Sequence, residues 1–161
     1  MSSFYTDVIV KSPQFKSDTL YTGTDLLYPP FFTHVEALIA DAETQGHKLK
    51  IIETYRSQVR QEALFKQGAT KLQHVGVHGF GLACDIVFLK PDGAPNWQAD
   101  YSVLRDLAHK HQLISGYDWG NEARPSFRDS DHLQMVSLKD QPHLFNGTWY
   151  PAADYNPYDN L

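Results

Sequence analysis

The stretch HGFGLACDIVFL, residues 78–89, carries the strongest structural signal in this sequence. Its second half, residues 83–89, is rich in Ile, Val and Phe, a composition that predicts a β-strand. Asp85 lies inside this apolar strand, where a carboxylate is costly to bury unless its charge is paired or binds a cation. Glycines around His78 let the backbone turn sharply, so the loop can fold His78 back over the start of the strand.

Helices and strands alternate outward from this stretch. Apolar residues recur at helical spacing or in short β-rich runs, and Pro, Ser and Gly mark the ends of these segments. The predicted helices run from Pro29 to a stop at Gly46, from the N-cap Ser57 to residue 67, and over residues 97–111, and the predicted strands cover residues 49–55, 83–89, 114–119 and 132–138. This order predicts an α+β fold, a small single domain with a mostly antiparallel sheet flanked by helices.

The two ends of the chain lie outside the predicted core, residues 28–138. Residues 1–27 are polar and rich in turns, which predicts an N-terminal arm wrapped on the domain. Residues 139–161 hold three of the nine prolines and predict an irregular C-terminal tail packed against the body. We therefore expect one domain over residues 1–161.

Composition narrows the possible functions. The chain has 161 residues, 42% of them hydrophobic and 20% charged, with a mean hydropathy of -0.44, which is ordinary for a globular domain. Its net charge of -5 argues against nucleic acid and anionic lipid as partners. No secretory signal is visible at the N-terminus, and no apolar run approaches the roughly 20 residues that span a bilayer. We expect cytoplasmic synthesis without a signal peptide and no membrane insertion.

Three residues stand out as potential metal ligands: His78, Asp85 and His132. Two imidazoles and one carboxylate that leave a fourth tetrahedral position open are typical of a catalytic zinc site, so we expect one Zn²⁺ ion. Asp129 is the best candidate for the group that takes a proton from the attacking water. Strict strand alternation would place Asp129 and His132 on opposite faces, so they share a site only if a turn at residues 129–131 redirects one of them.

Three segments, in order, resemble the zinc D-alanyl-D-alanine carboxypeptidases and L-alanyl-D-glutamate endopeptidases of the LAS group, which includes VanY-like and phage-endolysin peptidases. HGFGLACD resembles the S-x-H-x-x-G-x-A-x-D signature of the family, and DSDH resembles its D-x-x-H. TYRSQVRQEALF is similar to Y-R-S-x-x-x-Q-x-x-L-[FY] and is the third segment. In addition to these three, YDWG resembles the W-G segment of the family. One position departs from the pattern, because Gly76 replaces the family serine that helps to bind the substrate.

The resemblance implies a role for each matching residue. His78, Asp85 and His132 would hold zinc. The remaining matches divide into catalytic and substrate-binding positions: Asp129 as the proton acceptor, Arg56 as the group that steadies substrate or oxyanion, and Gln61 and Trp119 as substrate-binding residues.

The implied function is zinc-dependent hydrolysis of an amide bond in peptidoglycan stem peptides. We favour an endolysin-like L-alanyl-D-glutamate endopeptidase that acts on the cell wall after release or delivery. The alternatives are a D-alanyl-D-alanine carboxypeptidase and a non-enzymatic zinc-binding component of a phage tail or injection particle. The last is motivated by the acidic charge and by the aromatic tail, residues 146–161, which could dock on a partner.

Several of these residues also have structural interpretations. Arg56 could instead be an ion-pair partner of Asp85 or of a carboxylate at the corner of the helix, and His132 could form a surface pair with Asp129 or Asp131. Cys84 neighbours Asp85 on the strand, so it should point to the opposite face and be a small buried hydrophobe. Glu53 is expected to be a solvated charge.

Overall fold

A four-stranded antiparallel sheet lies at the centre of the computed structural model, which describes residues 2–70, 73–74 and 76–159. The strands are β1 (Leu49–Glu53), β2 (Ala83–Phe88), β3 (Ile114–Ser115) and β4 (His132–Gln134). They pair in the order β1-β2-β4-β3, and all three pairings are antiparallel. The α-helices are α1 (Pro29–Thr44), α2 (Gln58–Lys66), α3 (Tyr101–Lys110) and α4 (Gln141–Phe145). The predicted α+β fold with an antiparallel sheet is confirmed.

The apolar faces of α1 and α3 pack with one face of the sheet to form the main core. Phe31 and Leu38 of α1, Leu104 of α3 and Ile86 of β2 are fully buried in it. Cys84 is fully buried in the same cluster, so the prediction that it is a core residue is confirmed. Because side chains alternate along a strand, Asp85 lies between Cys84 and Ile86 on the other face of the sheet, where the site forms.

The pairing of the strands places three polar residues side by side on that other face. Asp85 is directly opposite His132 in the β2–β4 pair and opposite Glu53 in the β1–β2 pair. The β1–β2 register shifts between Ile51 and Glu53, which is the signature of a β-bulge. The sheet therefore brings two carboxylates and one imidazole to neighbouring positions.

The N-terminal segment packs against the domain through a second small cluster around Ile9, Leu26 and Tyr55. It contains two short helical turns, Tyr5–Ile9 and Pro13–Lys16. The backbone of this segment also reaches the end of β1: Thr54 donates hydrogen bonds from its amide to the carbonyl of Tyr21, at 2.9 Å, and from its hydroxyl to the carbonyl of Gly23, at 2.6 Å.

The predicted third helix was wrong at its start. Residues 97–100 are outside α3, because Asp100 adopts an extended conformation and its carboxylate accepts the amide hydrogen of Ser102 as the N-cap. Trp97, the first residue of the predicted helix, is 59% exposed.

The predicted last two strands were too long. Ser115 accepts the amide hydrogen of Tyr117 and caps a 3-10 turn, Gly116–Trp119, which ends β3 after two residues. β4 likewise ends at Gln134.

The C-terminal tail is more regular than predicted. It contains the short helix α4, and Trp149 and Tyr155 pack their rings against each other, with centroids 5.1 Å apart, at the edge of the main core. Tyr155 also donates a hydrogen bond to Asp140 at 2.6 Å. The aromatic residues that suggested a free docking tail are thus packed on their own domain. Among the described residues, no helix combines the length and the apolar character needed to cross a membrane.

Core packing makes a direct prediction about stability. Replacing the fully buried Phe31 with alanine is expected to lower the free energy of unfolding by about 3–5 kcal/mol, because the substitution removes buried apolar area and leaves a cavity. The matched change Phe65→Ala, at an exposed position of α2, should stay within about 0.5 kcal/mol of the parent protein. Urea denaturation measures both. Equal losses in the two variants would contradict the placement of α1 in the core.

Candidate metal centre and active site

Two histidines and one aspartate converge on the polar face of the sheet. One ligand atom from each of His78, Asp85 and His132 lies within 4.8 Å of the other two. Nε2 of His78 is 3.3 Å from Oδ1 of Asp85, and Nδ1 of His132 is 3.4 Å from the same oxygen. His78 comes from a 3-10 turn, Val77–Phe80, that precedes β2, and the other two residues are paired across β2 and β4.

The hydrogen bonds on the far side of each imidazole determine which nitrogen faces the centre. Nδ1 of His78 lies 2.9 Å from the carbonyl oxygen of Thr54, which can only accept, so Nδ1 carries the hydrogen and Nε2 is free. Nε2 of His132 lies 2.8 Å from Oε1 of Gln134 and donates to it. The amide nitrogen of Gln134 donates to the carbonyl of Val136 at 2.6 Å, which fixes the orientation of this side-chain amide. Neutral imidazoles would therefore present their lone pairs to Asp85 Oδ1.

This donor set fits a zinc ion. Tetrahedral zinc with bonds of about 2.0–2.1 Å separates neighbouring ligand atoms by about 3.3 Å, close to the nitrogen to oxygen distances at this centre. Imidazole ligands held by a carbonyl or amide oxygen on their other nitrogen are the usual arrangement around protein-bound zinc. A zinc ion held by these three residues would keep one coordination position for water or substrate.

Burial and neighbouring charges shift the pKa values of three groups at the centre. Burial on its own would raise the pKa of Asp85, but the two adjacent imidazoles hold that pKa well below its usual range. Burial on its own would lower the pKa of His132, yet the hydrogen bond and charge of Asp85 raise it. Asp131, one position before His132, has its pKa raised to about 7 by burial and then by the charges of Asp85 and Asp129.

Asp129 lies at the same centre because the chain turns at residues 129–131, as the sequence analysis predicted for a shared site. Its Oδ2 is 3.9 Å from Nδ1 of His132, and its side chain is 52% exposed. The amide of Asp129 donates to the carbonyl of Gly116 at 2.9 Å, and the amide of His132 donates back to the carbonyl of Asp129 at 3.2 Å. A Cβ atom at Gly116 would lie 2.3 Å from the Asp129 carbonyl oxygen, so only glycine permits this close approach.

Arg56 occupies the other side of Asp85. Its Nη2 donates to Oε1 of Glu53 at 2.7 Å and to Oδ2 of Asp85 at 3.3 Å, and its Nη1 donates to Oε1 of Gln61 at 3.2 Å. Gln61 is only 2% exposed and lies beneath the guanidinium. Both interpretations of Arg56 thus have a physical basis, since it pairs with Asp85 and also faces the site.

Glu53 was predicted to be a solvated charge, and this was wrong. The residue is 6% exposed, and its two carboxylate oxygens accept hydrogen bonds from Arg56 and Arg60. The bulge in β1 turns it toward Asp85. The only sequence signal was a charged residue at the end of an apolar strand, three positions before Arg56.

A cavity of about 830 Å³ opens beside the centre, a volume within the range of ligand-binding pockets. The Trp119 ring, with its centroid 4.9 Å from that of His132, covers one side of the centre. All seven residues singled out in the sequence line this cavity: Arg56, Gln61, His78, Asp85, Trp119, Asp129 and His132. Gly76 and the aromatic side chains of Phe80 and Phe145 also line it.

Comparison with known proteins finds a curated relative that matches most of the chain. The peptidoglycan L-alanyl-D-glutamate endopeptidase CwlK of Bacillus subtilis (strain 168) is 30% identical over 124 residues, which cover 68% of this chain and 74% of CwlK. No family model matches the chain.

Solved structures share the fold at lower identity. The L-Ala D-Glu endopeptidase ChiX of Serratia marcescens has a TM-score of 0.56 at 20% identity and covers 78% of this chain and 96% of its own. The zinc complex of the vancomycin-resistance D,D-pentapeptidase VanY has a TM-score of 0.52 at 14% identity and covers 74% of this chain and 78% of its own.

Zinc-dependent stability is the first prediction from this geometry. Chelation by EDTA is expected to lower the Tm, and zinc should restore it, with a stabilisation of about 2.7 kcal/mol at free zinc 100 times Kd. His132→Ala removes one of the three candidate ligands and should abolish this rise in Tm, as measured by differential scanning calorimetry. His109→Ala removes a histidine that pairs with Asp118 away from the cavity and should keep it. Equal zinc-dependent rises in both variants would contradict the proposed centre.

Proposed function

The chain belongs to the LAS-type zinc peptidases, the VanY-like family, and from this membership we propose that it hydrolyses the L-alanyl-D-glutamate bond of peptidoglycan stem peptides. The observation that carries the proposal is the convergence of a zinc-type donor set with the carboxylate of Asp129 in one cavity. The name of the relative CwlK supports the choice of bond. Gly76, in place of the family serine, also suits a site that is not specialised for a terminal D-alanine.

The proposed ligands are Nε2 of His78, Oδ1 of Asp85 and Nδ1 of His132, which would hold one zinc ion. Bound zinc supplies a Lewis acid that polarises the scissile carbonyl and lowers the pKa of a water molecule to about 7. The hydrogen bonds from His78 to Thr54 and from His132 to Gln134 hold both rings in the orientation and tautomer that this role requires.

Asp129 is the proposed general base and acid. Its carboxylate lies beside His132 with more than half of its side chain exposed, so it can reach both a water molecule and a peptide in the cavity. Oδ2 would accept the proton that the attacking water loses and then donate it to the nitrogen of the leaving amine. Transfer in both directions by one carboxylate completes hydrolysis without a second acid.

Substrate contacts are proposed for the remaining residues. Arg56 presents a permanently charged guanidinium at the cavity wall, suited to a substrate carboxylate or to the oxyanion that forms at the scissile carbonyl. Gln61 is almost fully buried, so its proposed contribution to substrate binding passes through the hydrogen bond that it accepts from Arg56. Trp119 would form the wall beside His132 against which a peptide packs.

D-alanyl-D-alanine carboxypeptidase activity is the second candidate within the same family. The cavity wall at Gly76 distinguishes the two, because a terminal carboxylate would lack a hydroxyl partner there. A non-enzymatic zinc-binding component of a phage tail or injection particle is less favoured. A component without catalytic activity has no chemical use for an exposed carboxylate beside the donor set, and the tail that suggested docking packs on its own domain. We propose that the enzyme acts on the cell wall.

The bond and the role of Asp129 can be tested together. Purified peptidoglycan digested by the zinc-loaded protein should yield fragments with a new free amine on D-glutamate, identified by mass spectrometry. Asp129→Ala is expected to lower kcat by about 10²–10⁴-fold because the proton acceptor is lost, while zinc still binds. The matched variant Asp106→Ala, at an exposed position of α3, should keep full activity.

Other products would change the assignment. Release of terminal D-alanine alone would select the carboxypeptidase. Unchanged muropeptides from a folded, zinc-bound sample would contradict a peptidoglycan hydrolase, and equal rates for Asp129→Ala and the parent would contradict the role of Asp129.

A further inference from the structure

We propose that Glu53 is a positioning residue for the metal centre and that it acts through Arg56. This inference rests on the proposed function only in taking His78, Asp85 and His132 as the zinc ligands. It does not depend on which bond is cut. Glu53 lines the same cavity, but both of its carboxylate oxygens accept hydrogen bonds from arginines, so its influence on Asp85 passes through the Arg56 guanidinium that contacts both carboxylates.

The β-bulge is what makes this contact possible. Ile51 pairs with Ile86, so an unbroken ladder would place Ile52 opposite Asp85 and Glu53 opposite Cys84. Instead, Glu53 is opposite Asp85, and two residues of β1 face one residue of β2. A bulge beside a functional site commonly redirects a side chain. Here the redirected side chain is a carboxylate, and it points to the polar face rather than into the core beside Cys84.

Two carboxylates directly opposite each other repel, and one positively charged guanidinium that contacts both of them offsets this repulsion. Nη2 of Arg56 lies 2.7 Å from Oε1 of Glu53 and 3.3 Å from Oδ2 of Asp85. The second oxygen of Glu53 accepts from Nε of Arg60 at 2.9 Å, so both oxygens are committed. Glu53 is thus fixed between two arginines, and it holds the Arg56 guanidinium closer to itself than to Asp85.

The position of Arg56 determines which oxygen of the Asp85 carboxylate is available to bind a metal ion. Oδ2 of Asp85 faces Arg56, whereas Oδ1 faces the two imidazoles. If Glu53 loses its charge, Asp85 becomes the only carboxylate that pairs with Arg56, and the guanidinium is drawn toward it. The Asp85 carboxylate then rotates toward Arg56 or binds a cation less strongly. The net charge around the centre also becomes more positive. Both effects weaken zinc binding.

Zinc affinity is therefore the decisive readout. Glu53→Gln keeps the size of the side chain and removes its charge, and we expect its zinc Kd, measured by competition with a chelator of known affinity, to rise about 10–100-fold, the usual effect of losing an outer partner of a ligand. The matched control Asp41→Asn removes a carboxylate that pairs with Lys110 and His111 on a distant surface. It should lower the Tm of the metal-free protein yet keep the zinc Kd of the parent.

A purely structural role for Glu53 gives a different pattern. In that case, Glu53→Gln lowers the Tm of the metal-free protein but binds zinc within twofold of the parent and keeps its kcat at saturating zinc, and this result would overturn the inference. If Glu53→Gln does not fold, Glu53→Asp replaces it. The shorter side chain breaks the 2.7 Å contact with Arg56 and should weaken zinc binding several-fold, so an unchanged Kd there would also overturn it.

Failure of the proposed function leaves a separate signature. If the parent protein binds zinc but cleaves no stem peptide, the proposed function fails, while the zinc affinities of the Glu53 variants still decide this inference. If the parent protein binds no zinc, both proposals are overturned.

Discussion

The carboxylate of Asp85 is the group on which the rest of the site depends. It lies in β2, one of the two central strands of the sheet, and it is shared by two imidazoles on Oδ1 and by a guanidinium on Oδ2. A buried carboxylate needs such compensation, because its charge would otherwise be costly in this environment. The turn before β2 brings His78 to it and the pairing with β4 brings His132, while the bulge in β1 brings Glu53, which holds the Arg56 guanidinium.

The support around this carboxylate comes from distant parts of the chain. Thr54, which orients His78, is held in turn by the backbone carbonyls of Tyr21 and Gly23 in the N-terminal segment. Gln134, which orients His132, donates to Gln141 of the C-terminal helix at 2.6 Å. The segments outside the sheet thus contribute to the orientation of the imidazoles. Ring positions fixed in this way preorganise a metal site before the ion arrives.

The sequence predicted the residues of the site better than their surroundings. Asp85 was visible because a carboxylate in an apolar strand needs a partner, and a resemblance in three ordered segments associated it with His78 and His132. The sequence did not indicate that Glu53 belongs to the site, because its orientation toward Asp85 follows from a bulge. A bulge is a property of the pairing between two strands rather than of either strand alone. The start of α3 was wrong for a similar reason: Trp97 fits the helical spacing, but the cap formed by Asp100 excludes it.

Zinc-edge anomalous diffraction from crystals of the zinc-loaded protein tests the central claim most directly. The account predicts one strong peak about 2.0–2.2 Å from each of Nε2 of His78, Oδ1 of Asp85 and Nδ1 of His132, with the fourth position open to the cavity. The Glu53 carboxylate should remain on Arg56, outside the coordination sphere. A peak at other residues, or none between the two imidazoles, would contradict the assignment of this centre as the zinc site.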